Sequence, residues 1–167
     1  FRTAGFTNGV GTLGGGNVNI DAGGDVANIQ VASASNARMG GNTNSNPDLA
    51  NFIEQGGGDV NINAEGSINK TLLHAGNGSI NANAGANLST ELSIMNAQVN
   101  LKAADNLLIA STNNPTTSNP NITTNGLRST FYTYTDNTII NAVSSTGNIS
   151  VTGNLPSKLA LAAAAGD

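Results

Sequence analysis

The sequence predicts an all-β protein made of many short strands separated by turns, and three observations lead to this prediction. Charged residues make up only 10 % and aromatic residues only 4 % of the 167 residues, whereas an ordinary globular domain carries about 25 % charged residues. Val, Ile and Leu recur at short spacings between polar residues and glycines. A nine-residue block is also repeated along the chain, and internal repetition indicates a stack of similar structural units.

Four copies of the block align without gaps, beginning at Val18, Val60, Ile80 and Val99. Position one is Val or Ile, position two is Asn, position five is Ala, and position nine is Val, Ile or Leu. The copies start 42, 20 and 19 residues apart, so we expect one degenerate or decorated coil in the first interval. A shortened fifth copy is expected to begin at Gly147.

The block alternates apolar and polar residues at positions one to three. This alternation puts the side chains of positions one and three on the same face of a strand. Ala and Gly in the second half allow a tight bend. One such coil cannot bury its apolar side, but stacked coils can, since each strand then pairs with its equivalent about 4.8 Å away. The sequence therefore predicts a single-stranded parallel β-helix over residues 1–167, with about 20 residues per coil.

The asparagines at position two lie on the face opposite the apolar ladder. We expect them to stack into an outward ladder whose side-chain amides bond to one another, as stacked amides do in other repeated strands. The alternative is a functional surface for ice, sugar or ions. The four residues concerned are Asn19, Asn61, Asn81 and Asn100.

The repeat is interrupted at residues 33–56, where the pattern changes. Asn46 is a suitable helix N-cap and Gly56 a suitable C-terminal cap, so the spacing predicts a short helix over 47–55. We expect this helix to cover apolar surface, with partner binding as the alternative. Its apolar face would contain Leu49, Phe52 and Ile53.

A second interruption, at residues 111–135, is rich in Asn, Thr and Pro and reads as a loop excursion. It ends in an alternating segment that places Tyr132 and Tyr134 on one strand face. Two exposed tyrosines could stack on sugar rings, since each offers apolar area and a hydroxyl. Tyr132 and Tyr134 are therefore the candidate ligand-binding residues, and the alternative is that they cover the neighbouring loop.

The residues that usually carry catalysis are scarce. The chain has one histidine, His74, and no cysteine, and we expect His74 to lie at a turn. No nucleophile elbow, phosphate-binding loop or calcium nonapeptide is present. The sequence therefore predicts no catalytic residue, no metal site, no cofactor and no enzyme. Six Lys+Arg residues and a pI near 4.6 also argue against nucleic acid as a partner.

The blocks at residues 11–26 and 56–64 resemble the repeats of filamentous-haemagglutinin-like exoproteins of bacterial two-partner secretion systems. The resemblance implies a right-handed parallel β-helix, export through an outer-membrane transporter barrel, and display at the bacterial cell surface. It further implies a structural and adhesive rod, as part of an adhesin or of a contact-dependent inhibition stalk. The implied partner is a receptor or glycan on a host or neighbouring cell.

No sign of a toxin domain is present. Because the chain begins at Phe1, we expect a fragment of a larger exoprotein, from an internal or carboxy-proximal part of the rod. The alternative function is a carbohydrate-binding or polysaccharide-degrading β-helix protein.

Overall fold

The computed structural model describes residues 6–39, 52–114 and 136–152, and these residues form an all-β, largely parallel structure without a helix. The strands are β1 (Gly9–Thr12), β2 (Val18–Ala22), β3 (Val26–Ala27), β4 (Gln30–Ser33), β5 (Ser35–Met39), β6 (Phe52–Gly56), β7 (Val60–Ala64), β8 (Ile68–Ala84), β9 (Leu88–Ala103), β10 (Leu107–Asn113), β11 (Ile139–Ser144) and β12 (Ile149–Val151). All except β5 and β6 belong to one ten-stranded sheet whose pairings are parallel.

The parallel pairings form three successive ladders. The first ladder joins β2, β7, the end of β8, the end of β9 and β11. The second ladder joins β3, the starts of β8, β9 and β10, and β12. The third ladder joins β1, β4, the middle of β8, the middle of β9 and the end of β10. The chain visits the three ladders in turn, so each repeat of the sequence adds one strand to each.

The first ladder aligns the repeated block in register. Val60 pairs with Val18 on one side and with Ile80 on the other, and Ile80 pairs in turn with Val99. In β7 the residues alternate between buried and more exposed, as the period of two requires. Val60, Ile62 and Ile80 are fully buried. The predicted apolar face of the block is thus confirmed.

Apolar side chains from the three ladders form one core cluster. The second ladder contributes Ile68, Leu88 and Leu107, which occupy position nine of successive blocks, and the third contributes Leu73 and Leu92. Because equivalent residues stack, each ladder buries its apolar side chains against those at the same position in the next repeat. Removal of this apolar area from water is the main stabilising term for such a stack.

The turn into the first ladder repeats a left-handed backbone conformation. Gly16, Gly58 and Gly78 precede β2, β7 and the end of β8, with φ of 114°, 139° and 142°. A Cβ on Gly78 would meet the carbonyl group of Gly58, and one on Gly58 would meet that of Gly16. Glycine is therefore required here for both conformation and close stacking.

The 42-residue interval between the first two blocks is one repeat with an insertion, because Val18 pairs directly with Val60. The insertion contains β5 and β6, which pair with each other in antiparallel register. The predicted helix over 47–55 is therefore wrong for residues 52–55, which belong to β6, while 47–51 lie outside the described residues. Backbone pairing with β5 overrides the local capping pattern, which is only a weak determinant of structure.

The fifth copy of the block begins at Ile140 and not at Gly147. Ile140 pairs with Val99, and Ile149 pairs with Leu107, the residue at position nine of the preceding block. The fifth copy therefore has one extra residue in its bend, which explains why it does not align without a gap. Its outer residue Asn141 continues the series of asparagines.

The strand pairings of the third ladder correct two other expectations drawn from the sequence, on His74 and on residues 111–135. His74 does not lie at a turn but within β8, between Ala32 of β4 and Ser93 of β9. The first residues of the predicted excursion at 111–135 continue β10, where Ser111 pairs with Glu91. Residues 115–135 lie outside the described part of the chain.

Candidate ligand-binding groove

The two tyrosines predicted to bind ligand, Tyr132 and Tyr134, lie outside the described residues. Within the described residues, a groove of about 400 Å³ lies at the corner between the second and third ladders. The residues that line it are Asn8, Asn28, Ile29, Gln30, Lys70, Thr71, Leu72, Ser89, Thr90, Glu91 and Ala110.

Two lining residues hold an unusual backbone conformation. Asn28 has φ of 56° and Lys70 has φ of 49°, and they are the two non-glycine residues with positive φ in the described ranges. Asn adopts the left-handed region readily, whereas for Lys this conformation costs about 1–2 kcal/mol. The two repeats that contain Asn28 and Lys70 therefore share this left-handed residue at the corner, even though Lys opposes the conformation.

The groove lies where one repeat is one residue shorter than its neighbours. From the second to the third ladder the chain advances four residues in the repeat that contains Lys70 (Ile68 to Leu72), but only three in the next (Leu88 to Glu91). The repeat after that advances four again, with Ala110 as the extra residue. The extra residue of β8 lies before Thr71, and Ala110 lies after Ile109, while both Thr71 and Ile109 pair with Thr90. The repeat between them is one residue shorter at this corner, and we call the shortened corner the notch.

The floor of the groove is formed by two buried threonines that are hydrogen-bonded to each other. The Thr71 hydroxyl donates to the Thr90 hydroxyl over 3.0 Å, and the Thr90 hydroxyl donates to the Thr71 carbonyl over 3.2 Å. Both side chains are about as buried as the core. The floor is thus rigid and polar, since buried hydroxyls with partners fix one arrangement.

The rim carries the groups that could bind a ligand. Lys70 and Glu91 are exposed and supply one positive and one negative charge. Asn8, Asn28 and Gln30 supply side-chain amides, which both donate and accept hydrogen bonds. Such a set suits a polar, largely uncharged molecule with several hydroxyl groups better than it suits an anion, a metal ion or a hydrocarbon.

The sequence did not point to these residues, although it contained one signal of the notch. The second and third block copies start 20 and 19 residues before their successors. Because Leu72 pairs with Glu91 and Ile80 with Val99, the missing residue must lie at the corner before Glu91. Which side chains then surround the notch depends on the pairing of strands from five repeats.

His74 lies in the same ladder but does not line the groove. The residue is 6 % exposed, and its Nδ1 lies 3.0 Å from the Ser93 hydroxyl oxygen. Burial lowers the pKa of His74 to about 4, despite the opposing effect of a hydrogen bond with the Ser93 backbone. The imidazole is therefore neutral near pH 7.

The acidic side chains do not gather into a metal site in the described ranges: no group of three or more His, Asp and Glu residues is placed to hold an ion there. The same ranges contain no helix that could cross a membrane, since all their regular elements are strands.

Comparison with known proteins found no matching family model, no matching curated protein and no matching solved structure.

Proposed function

We propose that the chain is a segment of a right-handed parallel β-helix that serves as a structural and adhesive rod in a secreted bacterial surface protein. The observation that carries the proposal is the hydrogen-bonded asparagine ladder. Asn61 donates to Asn19, Asn81 to Asn61, Asn100 to Asn81 and Asn141 to Asn100, over distances of 2.9 to 3.0 Å. A ladder of this kind requires equivalent residues to recur at the strand spacing, about 4.8 Å.

Two further observations support the stacking of coils. The three ladders are visited in the same order by every repeat, as a chain that winds around one axis requires. A second polar series, at the bend, links each repeat to the one before it: the Ser67 N–H donates to Asp25, and the Asn106 N–H donates to Asn87. Repeats held in this way form an extended object, which suits a spacer or stalk.

The assignment to filamentous-haemagglutinin-like exoproteins of two-partner secretion systems rests on the blocks at residues 11–26 and 56–64. This resemblance implies export through an outer-membrane transporter and display at the cell surface. It also implies attachment to a receptor or glycan on a host or neighbouring cell.

Spin-label distances test the stacking of repeats in the first ladder. Position four of the block is exposed in Asp21, Lys102 and Val143, and the chain has no cysteine to interfere. Cysteine pairs labelled at 21/102 and 21/143 should lie about 14 Å and about 19 Å apart between Cα atoms, since they are three and four strand spacings apart. Distances that do not rise by one strand spacing would contradict the stacking of repeats that a β-helix requires.

The adhesive part of the proposal needs a separate measurement. Purified protein should bind saturably to intact epithelial or bacterial cells, and removal of surface glycans by glycosidases should show whether the receptor is a glycan. Export is tested in the producing cells, where deletion of the transporter barrel should abolish protease-accessible protein at the surface.

A second candidate function, binding of a carbohydrate, is favoured by the corner groove. Sugars present hydroxyl groups that pair with amides and charged groups like those of Asn28, Gln30, Lys70 and Glu91. Glu91 is the only carboxylate among the lining residues. Because glycoside hydrolases ordinarily need two carboxylates, the groove favours binding over polysaccharide degradation.

A glycan array separates the two candidate sugar sites. We expect Lys70→Ala/Glu91→Ala to lose the signal, and Lys102→Ala, on the exposed face of the first ladder, to keep it. Insertion of one glycine after Ser89 should also abolish the signal by filling the notch. If the tyrosines bind the sugar instead, Tyr132→Ala/Tyr134→Ala will lose the signal and the groove variants will not.

A further inference from the structure

We propose that the corner groove binds a straight, uncharged oligosaccharide that lies along the stacking direction, with one sugar ring on each repeat. This binding mode rests on the carbohydrate binding proposed above, and it sets the direction, the length and the linkage of the chain that the groove accepts. The distribution of the lining residues over the repeats and the distance between strands support it.

The groove runs across the strands and not along them. Its lining residues come from five successive repeats, and no repeat contributes more than three of them. Asn8 lies at one end and Ala110 at the other, so the lining spans four strand spacings, or about 19 Å. Along a strand, three residues cover only about 10 Å. A chain-like ligand therefore makes most contacts when it lies parallel to the stacking direction.

Backbone hydrogen bonds hold the corners of successive repeats in line at the wall of the groove. The Gln30 N–H donates to the Asn8 carbonyl over 2.9 Å, and the Leu72 N–H donates to the Ile29 carbonyl over 3.1 Å. Such bonds between neighbouring repeats keep the groove nearly straight. They also fix its internal repeat at one strand spacing, about 4.8 Å.

A straight chain of pyranose rings has nearly the same repeat as the groove. In β-1,4-linked glycans the rings follow an extended line, and each ring advances by close to one strand spacing, about 4.8 Å. In α-1,4-linked glycans the chain curves instead. Consecutive β-1,4-linked rings can therefore occupy consecutive repeats in register, and about four rings fill a lining of four strand spacings.

One row of side chains along the groove alternates between polar and apolar. Leu72 pairs with Gln30 on one side and with Glu91 on the other, so these three residues follow one another on one face. That face points outward, since Leu72 is half-buried while its neighbour Leu73 is fully buried. A pyranose ring has an apolar C–H face and a rim of hydroxyls. Its face can pack on Leu72 while hydroxyls of the adjacent rings bond to Gln30 and Glu91.

The second row of side chains, at the corner, adds hydrogen-bond donors. Asn28 and Lys70 take equivalent places one repeat apart, and both have positive φ. The Lys70 ammonium has donors only, whereas the Asn28 amide both donates and accepts. A polyanionic chain would be attracted by Lys70 but repelled by Glu91 in the next repeat. The two rows together therefore favour an uncharged chain with hydroxyls along both edges.

Isothermal titration calorimetry on the full 167-residue chain tests this binding mode with sugars of increasing length. The probes are two β-1,4-linked series, the cello-oligosaccharides and the chito-oligosaccharides, from the single sugar to the hexamer. The first series carries hydroxyls only and the second adds acetamido groups, so the two series distinguish the sources of the same straight chain. We expect affinity in at least one series to rise about fivefold per added ring, as one further hydrogen bond gives. The rise should level off near about four rings, and the curved maltooligosaccharides should show no such rise.

A bulky residue at one end of the groove should shorten it. Ala110 lines the last of the five repeats and is half-buried. Ala110→Trp should leave the affinity for the shortest chains unchanged and lower that for the hexamer about fivefold, to the value of a three-ring chain. The matched control is Ala104→Trp, which is half-buried at the bend after the first ladder and does not line the groove. Circular dichroism checks folding, and Asn8→Trp blocks the opposite end if Ala110→Trp does not fold.

Several results would overturn this binding mode. Equal affinities for the single sugar and the hexamer, lost in Lys70→Ala/Glu91→Ala, would leave sugar binding in the groove standing but would exclude the lengthwise chain. Maltooligosaccharides that match the β-1,4-linked series would contradict the straight groove. Equal effects of Ala110→Trp and Ala104→Trp would contradict the predicted length. Absence of binding in both series would overturn it as well, while the glycan array reports separately whether the groove binds another sugar.

Discussion

The side-chain nitrogen of Asn81 lies 2.9 Å from the side-chain oxygen of Asn61, which precedes it by 20 residues in the chain. Asn81 also accepts a hydrogen bond of 2.9 Å from Asn100. A single amide thus links three successive repeats, and the free energy of this linkage can be measured by substitution.

We expect Asn81→Ala to lower the free energy of unfolding by about 1–2 kcal/mol, since a typical intramolecular hydrogen bond contributes about 0.5–1.5 kcal/mol. The matched control is Asn83→Ala in the same strand, whose side chain donates one bond to Asn63. Asn81 makes three side-chain hydrogen bonds, including one of 3.2 Å to the Ser79 hydroxyl, so the control should cost half as much or less. Urea unfolding followed by circular dichroism measures the free energy of unfolding of both variants. Equal losses of stability would contradict a larger contribution from the hydrogen bonds of Asn81.

Truncation of a core residue should be much more costly than truncation at the end of the stack. Ile80 is fully buried, whereas Ile149 is 49 % exposed. Ile80→Ala should therefore destabilise by about 2–5 kcal/mol, because it leaves a cavity as well as losing apolar contact. Ile149→Ala should cost well under half of that. Similar midpoints for the two variants in urea would contradict the described core.

The stacked glycines give a third prediction. Gly78→Ala places a Cβ against the carbonyl group of Gly58 at φ of 142°. We expect loss of several kcal/mol or failure to fold, because neither the backbone conformation nor the spacing can adapt easily. Gly24→Ala is the control, since an added Cβ there meets nothing within 4 Å. Thermal melting should separate the two variants clearly.

His74 makes stability depend on pH. Its pKa is lowered to about 4 in the folded chain and is about 6.5 when unfolded. The unfolded state therefore binds the proton more readily, and stability is retained above pH 6.5 and lost as the pH falls towards 4. At pH 4.5 the loss relative to pH 7.5 should be about 2.5 kcal/mol from this residue.

Comparison of wild type with His74→Gln isolates this contribution from that of the carboxylates. Unfolding in urea at pH 7.5 and pH 4.5 should show a smaller decrease for the variant than for the wild type. If the two decreases are equal, His74 is not the buried neutral group described.

The sequence by itself determined the repeat unit and its faces. The alternation at positions one to three indicated the buried side, and the constant Asn at position two predicted the outer ladder, because strand geometry alone assigns neighbouring residues to opposite faces. It also indicated that residues 33–56 depart from the repeat. None of these inferences required knowledge of which strand pairs with which.

Tertiary structure decided everything that depends on pairing between distant residues. Local signals favoured a helix at residues 52–55, but pairing with β5 made them a strand. The fifth copy could be located at Ile140 only through its pairing with Val99. The groove likewise lies where one repeat is one residue shorter than its neighbours, and its walls come from strands far apart in sequence. Spacing along the chain shows that a residue is missing, but only the stacking of repeats shows what surrounds the gap.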